Sequence, residues 1–260
     1  MTRTRLTALA LLLLAALPLL LSGCATAGRE PASLRVGFTP NYPPVVFSID
    51  GQFAGIEADF ARDLAAALGT TPEFRPLPWR DLIPALQAGD IDIIMTGLTV
   101  TPARATKVDF CDSYLDNPLV ALVRAGEAAS FPTRAAVESA PVAIGVLRGT
   151  SGEIYARRHC PSARIVPLAF RTDAPLGLIA QQYKLYIDDF AAVVDILLQS
   201  EATLELVPIP LADQKLAWAV APGNNDLRAA CNAVLADWRS SGHLDAVLDR
   251  WLTYRHALKH

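Results

Sequence analysis

The chain has 260 residues, 52% of them hydrophobic, with 23 basic against 26 acidic side chains and a formal net charge of −3. A length of this order fits one large domain or two small ones, and a mildly acidic chain with no Lys/Arg-rich run does not suit nucleic acid. The mean hydropathy of +0.29 is high for a soluble protein. Much of that apolar weight sits at the start. Arg3 and Arg5 precede an apolar run from Leu6 to Leu21, broken only by Thr7 and Pro18, and the small residues Ser22 and Gly23 lead to Cys24. A basic start, an apolar stretch too short to span a bilayer comfortably and a small-residue cleavage region define an export signal, here residues 1–23. No second apolar stretch of spanning length occurs downstream.

Leu21-Ser22-Gly23-Cys24 resembles the lipobox of bacterial lipoproteins, which implies cleavage before Cys24, lipidation of its sulfur and anchoring of the domain to a membrane. A chance cysteine after an ordinary secretory signal is the alternative. Residues 24–33, with Ala, Gly, Pro and Ser, then read as a tether. The remaining cysteines, Cys111, Cys160 and Cys231, are too widely spaced for a CxxC site. They read as core thiols with room for one disulfide.

Alternation from Leu34 to Phe38 predicts a strand. Ile56, Phe60, Leu64 and Leu68 then share a helical face, with Glu57 and Asp59 in the first turn as the helix dipole favours and Gly69 as a stop. A strand near Phe74, a helix from Leu82 to Ala88 ended by Gly89, and a strand from Ile91 to Met95 complete a β-α-β-α-β unit. The segment from Tyr114 to Val123 is expected to be extended and to cross to a second such unit. That unit has strands at Val142–Leu147, Ile165–Leu168 and Leu185–Ile187, and helices at Glu153–Arg158 and Pro175–Gln182. A helix from Ala191 to Gln199, strands near Leu204–Val207 and Leu216–Val220, and two final helices follow. These are more than the second unit needs, and their return to the first predicts two lobes joined by two crossovers, near 115–120 and 207–214. The expected class is α/β: two lobes with parallel-rich sheets and flanking helices, lobe 1 from residues 34–116 and 213–258, lobe 2 from 117–212.

Ligands of open parallel sheets bind beyond the carboxyl ends of the strands, so those loops hold the candidate site. After Met95 come Thr96, Gly97, Thr99 and then Thr101-Pro102-Ala103-Arg104, a capped helix start with an arginine in its first turn. A guanidinium fork, free amides and the Thr96 and Thr99 hydroxyls together suit a carboxylate. A solvated arginine on a surface helix is the bland alternative. In the second unit, Thr150 and Glu153 fit a capping box beside Ser151, which needs no ligand at all. Asp188 and Asp189 end the last strand, placed to pair with an ammonium or merely to cap the next helix.

Taken together, Gly37-Phe38-Thr39-Pro40-Asn41-Tyr42-Pro43-Pro44, Gly55-Ile56-Glu57-Ala58-Asp59-Phe60, Asp81-Leu82-Ile83-Pro84 through Asp92, and Thr99-Val100-Thr101-Pro102-Ala103-Arg104 with Val108-Asp109-Phe110 resemble a known pattern. It is that of the solute-binding proteins of bacterial amino-acid ABC importers, family 3, with the type II periplasmic-binding fold. The resemblance implies that Arg104 grips an α-carboxylate and that Tyr42 and Trp79 sandwich the ligand side chain. It further implies that Thr150 and Ser151 supply hydroxyls, and that Asp189 meets the ammonium with Asp188 as its rival. The segment before those acids, Gln181-Gln182-Tyr183-Lys184, departs from the family pattern. Thr39 stands where binders of basic amino acids resemble one another in having an acid, which disfavours lysine or arginine and leaves a polar or aromatic amino acid. An ABC permease as partner, hinge closure, a monomer, and no cofactor or metal complete the expectation. The protein would lie outside the cytoplasm, held to the membrane by lipid on Cys24.

A second function comes from a branch of this superfamily that works as a periplasmic cyclohexadienyl or arogenate dehydratase, which the ending Trp251-Leu252-Thr253-Tyr254-Arg255 resembles. That chemistry needs a general acid, expected as a glutamate three positions beyond the cleft aspartate, where this chain has Ala192. His159, His243, His256 and His260 do not gather in the cleft-forming segments, and no other catalytic motif is present. A detached sensor domain is a third reading, without a fused signalling helix to support it.

Overall fold

The computed structural model describes residues 33–255, so the expected signal, Cys24 and most of the tether lie outside the described residues, as does the chain end from His256. The chain opens with strand β1, Leu34–Phe38, and then makes a small antiparallel meander of β2, Asn41–Tyr42, β3, Val46–Ile49, and β4, Gln52–Ala54. No strand was expected here. The β3–β4 loop is Asp50-Gly51, with φ of 50° and 76°, and it makes the two-residue hairpin that this dipeptide favours. Gly55, at φ 109°, passes so near the Val45 carbonyl that an added Cβ would lie 2.6 Å from its oxygen. Helix α1, Ile56–Ala67, follows and buries Ile56, Phe60, Ala61 and Leu64.

Strand β5, Pro72–Pro76, helix α2, Leu82–Ala88, and strand β6, Ile93–Ile94, complete the expected unit, with Gly89 in the left-handed conformation ending α2. A single helical turn α3, Pro102–Ala105, and strand β7, Asp109–Phe110, come next. Strand β8, Leu115–Asp116, leads across to β9, Leu119–Arg124. Helix α4, Arg134–Ser139, was not expected, being too short to show an apolar period. The second unit then runs β10, Ala143–Leu147, α5, Ser151–His159, β11, Arg164–Leu168, α6, Asp173–Ile179, and β12, Leu185–Asp189. Helix α7, Phe190–Gln199, strands β13, Leu204–Ala212, β14, Lys215–Leu216, and β15, Ala219–Val220, and helices α8, Asn225–Ser241, and α9, His243–Trp251, close the chain.

Two five-stranded sheets result, ordered β5-β1-β6-β15-β7 and β11-β10-β12-β9-β13. Each carries one reversed strand. In the first, β15 runs antiparallel to β6 and β7, and in the second β9 runs antiparallel to β12 and β13. Each reversed strand is the one that arrives through a crossover. The crossing segments themselves pair as a ribbon, β14 against β8, with Lys215 opposite Asp116 and Leu216 opposite Leu115. Because β13 stays paired with β9 as far as Ala212, the return crossing falls at 213–216, later than the 207–214 expected.

Helices α8 and α9 return to the first lobe. Cys231, Leu235, Trp238, Leu244, Val247 and Leu248 share a core with Ile56, Phe60 and Leu64 of α1, where the Phe60 and Trp238 rings stack at 5.4 Å. The second sheet is covered on both faces by separate apolar clusters. Parallel strands need such two-sided cover. Cys111 and Cys231 lie in the first core and Cys160 in the second lobe, all three as buried free thiols. Among the described residues no helix is long and apolar enough to cross a membrane.

Candidate functional site

The carboxyl ends of the two sheets face each other across a cavity of about 210 Å³, the scale of one small ligand. Of the ten residues expected at the site, nine line it: Tyr42, Trp79, Thr96, Gly97, Thr99, Arg104, Thr150, Ser151 and Asp189. Asp188 does not.

Arg104 forms the cationic end. Thr101 caps α3 in an extended conformation and its hydroxyl accepts the Arg104 N–H at 3.3 Å, with Pro102 in the first turn. The side chain folds back into the cleft, where Nη1 donates to the Thr99 carbonyl at 2.9 Å and Nη2 to the Gly149 carbonyl of the other lobe at 3.4 Å. The guanidinium carbon stands 5.1 Å from the centre of the Trp79 ring. The arginine is only 8% exposed, and no acid among the described residues pairs with it. Burial lowers its pKa to about 10, which still leaves it charged at neutral pH. A buried cation without a counter-ion is costly unless an anion joins it.

Two expectations for this end are corrected. The helix start contributes one turn of four residues, and the Arg104 N–H is already bonded to Thr101, so the guanidinium and not a helix end presents the charge. The Gly97 amide is also committed, donating to Glu57 Oε1 at 2.8 Å. Glu57 lies in the first turn of α1, as the helix dipole favours, but its carboxylate serves a second purpose. It is 1% exposed and accepts in addition from Tyr114 at 2.7 Å and Trp218 Nε1 at 2.8 Å, beneath the Thr96–Thr99 loop. Burial pushes its pKa up to about 7, against those three donors.

Across the cleft, the capping box does not form. The Thr150 hydroxyl donates to the Leu147 carbonyl at 2.7 Å, while Glu153 accepts the Gly149 N–H at 2.7 Å. Ser151 donates to Gln214 Oε1 at 3.0 Å and lies 3.5 Å from the Thr99 hydroxyl. Trp79 Nε1 donates to the Gly149 carbonyl at 3.1 Å. With the Arg104 bond to the same carbonyl, these contacts join the lobes directly.

Asp189 forms the anionic end. It caps α7, accepting from the Ala192 N–H at 3.3 Å, and also accepts from Asn117 Nδ2 at 2.9 Å and from the Tyr42 hydroxyl. Burial, then the adjacent Asp188, raise its pKa to about 6, opposed by Arg171 and these donors. Capping and cavity lining are thus combined in one residue. Asp188 faces elsewhere: it is 1% exposed, accepts from Arg171 Nε at 2.8 Å and the Tyr186 hydroxyl at 2.5 Å, and does not line the cavity. Both expected sandwich rings carry a guanidinium, Trp79 that of Arg104 and Tyr42 that of Arg171.

The sequence reading missed Arg171, Asn117 and Phe170. Arg171 and Phe170 line the cavity on the loop after β11, a strand end whose following loop went unread. Asn117 lies in the first crossing and carries no motif.

A cleft between two such lobes, with a buried cation at one end and a buried acid at the other, defines a binding protein for a small dipolar solute. The chain belongs to the bacterial extracellular solute-binding proteins, family 3, which it matches over residues 34–254. It is 26% identical over 224 residues to the L-cystine-binding protein TcyJ of Escherichia coli (strain K12), covering 86% of this chain and 84% of that protein. To the L-arginine-binding protein of Pseudomonas aeruginosa it is 27% identical over 233 residues, covering 85% and 88%. Among solved structures, an ancestral amino-acid-binding protein described as a precursor of cyclohexadienyl dehydratase superposes with a TM-score of 0.78 at 29% identity, covering 84% of this chain and 95% of that one.

Proposed function

We propose that this protein is the extracytoplasmic binding component of an ABC importer, closing its two lobes, residues 34–116 with 213–258 and 117–212, over one amino acid for delivery to a permease. The observation that carries the reading is the buried Arg104 guanidinium, without an acidic partner among the described residues, in one cavity with the buried Asp189 carboxylate. An α-amino acid presents an anion and a cation a few bonds apart, and Arg104 and Asp189 match the two. Since these groups sit on opposite lobes, a ligand that engages both favours the closed form by its differential affinity. The solute-binding relatives support the transport role; a monomer without cofactor or metal completes the proposal.

A thermal-shift screen of the twenty amino acids, with prephenate and arogenate added, tests the reading. A ligand at 100 times its dissociation constant adds about 2.7 kcal/mol and should raise Tm by several degrees. No shift from any amino acid would overturn it. The dehydratase reading is favoured by the likeness to the ancestral precursor and by the ending Trp251-Leu252-Thr253-Tyr254-Arg255. Position 192, where that chemistry would want a glutamate, holds a fully buried alanine whose N–H caps onto Asp189. No turnover of prephenate or arogenate above the spontaneous rate is expected, and sustained turnover abolished by Arg104→Ala would reassign the protein as an enzyme.

The reading includes a lipid anchor on Cys24, supported by Leu21–Cys24 and the apolar run before it. An acyl chain contributes about 0.8 kcal/mol per buried methylene, so several together hold a soluble domain at a bilayer. Cys24→Ala should therefore shift the protein out of the membrane fraction or leave the signal uncleaved. Wild-type protein wholly in the soluble fraction, with no acyl mass on its N-terminus, would contradict the anchor.

A further inference from the structure

Arg171 belongs to none of the motifs considered so far, yet it is 8% exposed and lines the same cavity as Arg104 and Asp189. Its Nε donates to Asp188 Oδ2 at 2.8 Å and its Nη2 reaches Asp188 Oδ1 at 3.5 Å. Its guanidinium carbon lies 4.1 Å from the centre of the Tyr42 ring, which fixes the plane of the fork. The remaining nitrogen, Nη1, has no acceptor among the described residues and is not sealed away from the cavity. Asp188 thus holds one edge of the guanidinium, and the other edge keeps donors free.

The charge around the cavity points the same way. Among the described residues its wall carries Arg104, Arg171 and, at the exposed rim, Arg148, against one carboxylate, that of Asp189, while Asp188 lies behind Arg171. A zwitterion bound by Arg104 and Asp189 leaves the side chain to meet a donor-rich remainder, Arg171 with its charge paired on one edge by Asp188 and Arg148 at the rim. Thr39, on the opposite wall, offers no charge to reverse this, and its hydroxyl is donated to the Leu77 carbonyl at 2.9 Å. A guanidinium with open N–H groups suits an oxygen acceptor, and like charges brought together in a desolvated cleft discriminate strongly.

We propose that Arg171 reads the ligand's side chain, and that the ligand is an amino acid whose side chain ends in an oxygen acceptor, a carboxylate or an amide, with cationic amino acids excluded. The proposal rests on the amino-acid-binding reading and narrows it to a class.

The test is calorimetric titration of the purified full chain with aspartate, glutamate, asparagine and glutamine, against lysine, arginine, ornithine and leucine. The best of the first four should bind at least about a hundredfold more tightly than any cationic amino acid and about tenfold more tightly than leucine. Arg171→Ala would strand Asp188 as a buried unpaired acid, so the variant of choice is Arg171→Met combined with Asp188→Asn, which removes the pair together. In that variant the preference for the acceptor ligand over leucine should collapse to within about threefold, a readout that loss of structural support alone would not move. Lysine or arginine binding within threefold of the best ligand, a best ligand without a side-chain acceptor, or a preference unchanged in the folded double variant would each overturn the proposal. Failure of the double variant to fold would leave the wild-type ranking to decide. Absence of binding by any amino acid would instead overturn the reading beneath it.

Discussion

Arg104→Ala should weaken binding of the best amino acid at least about a hundredfold, equivalent to about 2.7 kcal/mol. Hydrogen bonds to a charged group contribute about 1.5–3 kcal/mol each, and a guanidinium can offer a carboxylate two. The geometry leaves it able to do so: Thr99 and Gly149 carbonyls hold Nη1 and Nη2 each on one side, and Trp79 covers the face. Arg104→Lys should recover only part of the loss, because an ammonium retains charge but not the planar fork. The ligand-free fold should change by no more than about 1 kcal/mol. Deletion removes a buried cation that has no counter-ion among the described residues, which offsets the two bonds lost, and Gly149 keeps its bond from Trp79. Binding by Arg104→Ala within threefold of wild type would move the carboxylate site elsewhere.

The second large effect is one of pH, and ligand affinity and apo stability should move in opposite directions. Asp189, raised to about 6, must be ionised to pair with an ammonium, so affinity should fall about tenfold for each unit of pH below 6. Stability of the ligand-free protein responds inversely. Asp189 and Glu57, the latter raised to about 7, bind protons more readily folded than unfolded, so between about pH 4 and 7 the folded state gains stability as pH falls. Glu127 and Glu153, held low by their arginine, lysine and backbone partners, act the other way, but only below the ordinary glutamate range. Apo Tm should therefore be higher at pH 5 than at pH 8, while the dissociation constant at pH 5 exceeds that at pH 7 about tenfold. Asp189→Asn should bind weakly at every pH and lose this dependence. A dissociation constant flat from pH 5 to 7.5 would contradict the role given to Asp189.

What the sequence made legible was local. The capped turn Thr101–Arg104, the apolar face of α1, and Gly89 at the end of α2 each carry their signal within a few residues, and each stands within a residue or two of its expected place. Strand direction has no such signature. The reversal of β9 and β15 follows from crossovers that join distant parts of the chain, and nothing in Leu119–Arg124 or Ala219–Val220 distinguishes them from parallel neighbours. The meander over residues 41–54 consists of strands of two to four residues, too short to show alternation, though Asp50-Gly51 was a readable hairpin turn.

The site divides along the same line. Arg104, Thr150 and Asp189 lie next to strand ends or helix starts, so a rule about strand ends reaches them. The fate of the acids depended on partners far away in sequence: Glu57 is buried by Gly97, Tyr114 and Trp218, and Asp188 is withdrawn from the cleft by Arg171. Asp59, two residues after Glu57, instead stays near the surface and accepts from Arg250 at 2.9 Å and Trp251 Nε1 at 2.8 Å. Two acids in one helical turn thus have opposite environments, which spacing alone does not reveal.

The central claim, that the cleft holds the charged groups of one amino acid at Arg104 and Asp189, is tested most directly by titrating the best-binding amino acid beside its α-amide and its N-acetyl derivative. Each derivative removes one charge and leaves the side chain unchanged. Both should lose at least about a hundredfold in affinity, the α-amide because Arg104 is left without its anion and the N-acetyl compound because Asp189 is left without its cation. Either derivative binding within threefold of the parent amino acid would contradict the account.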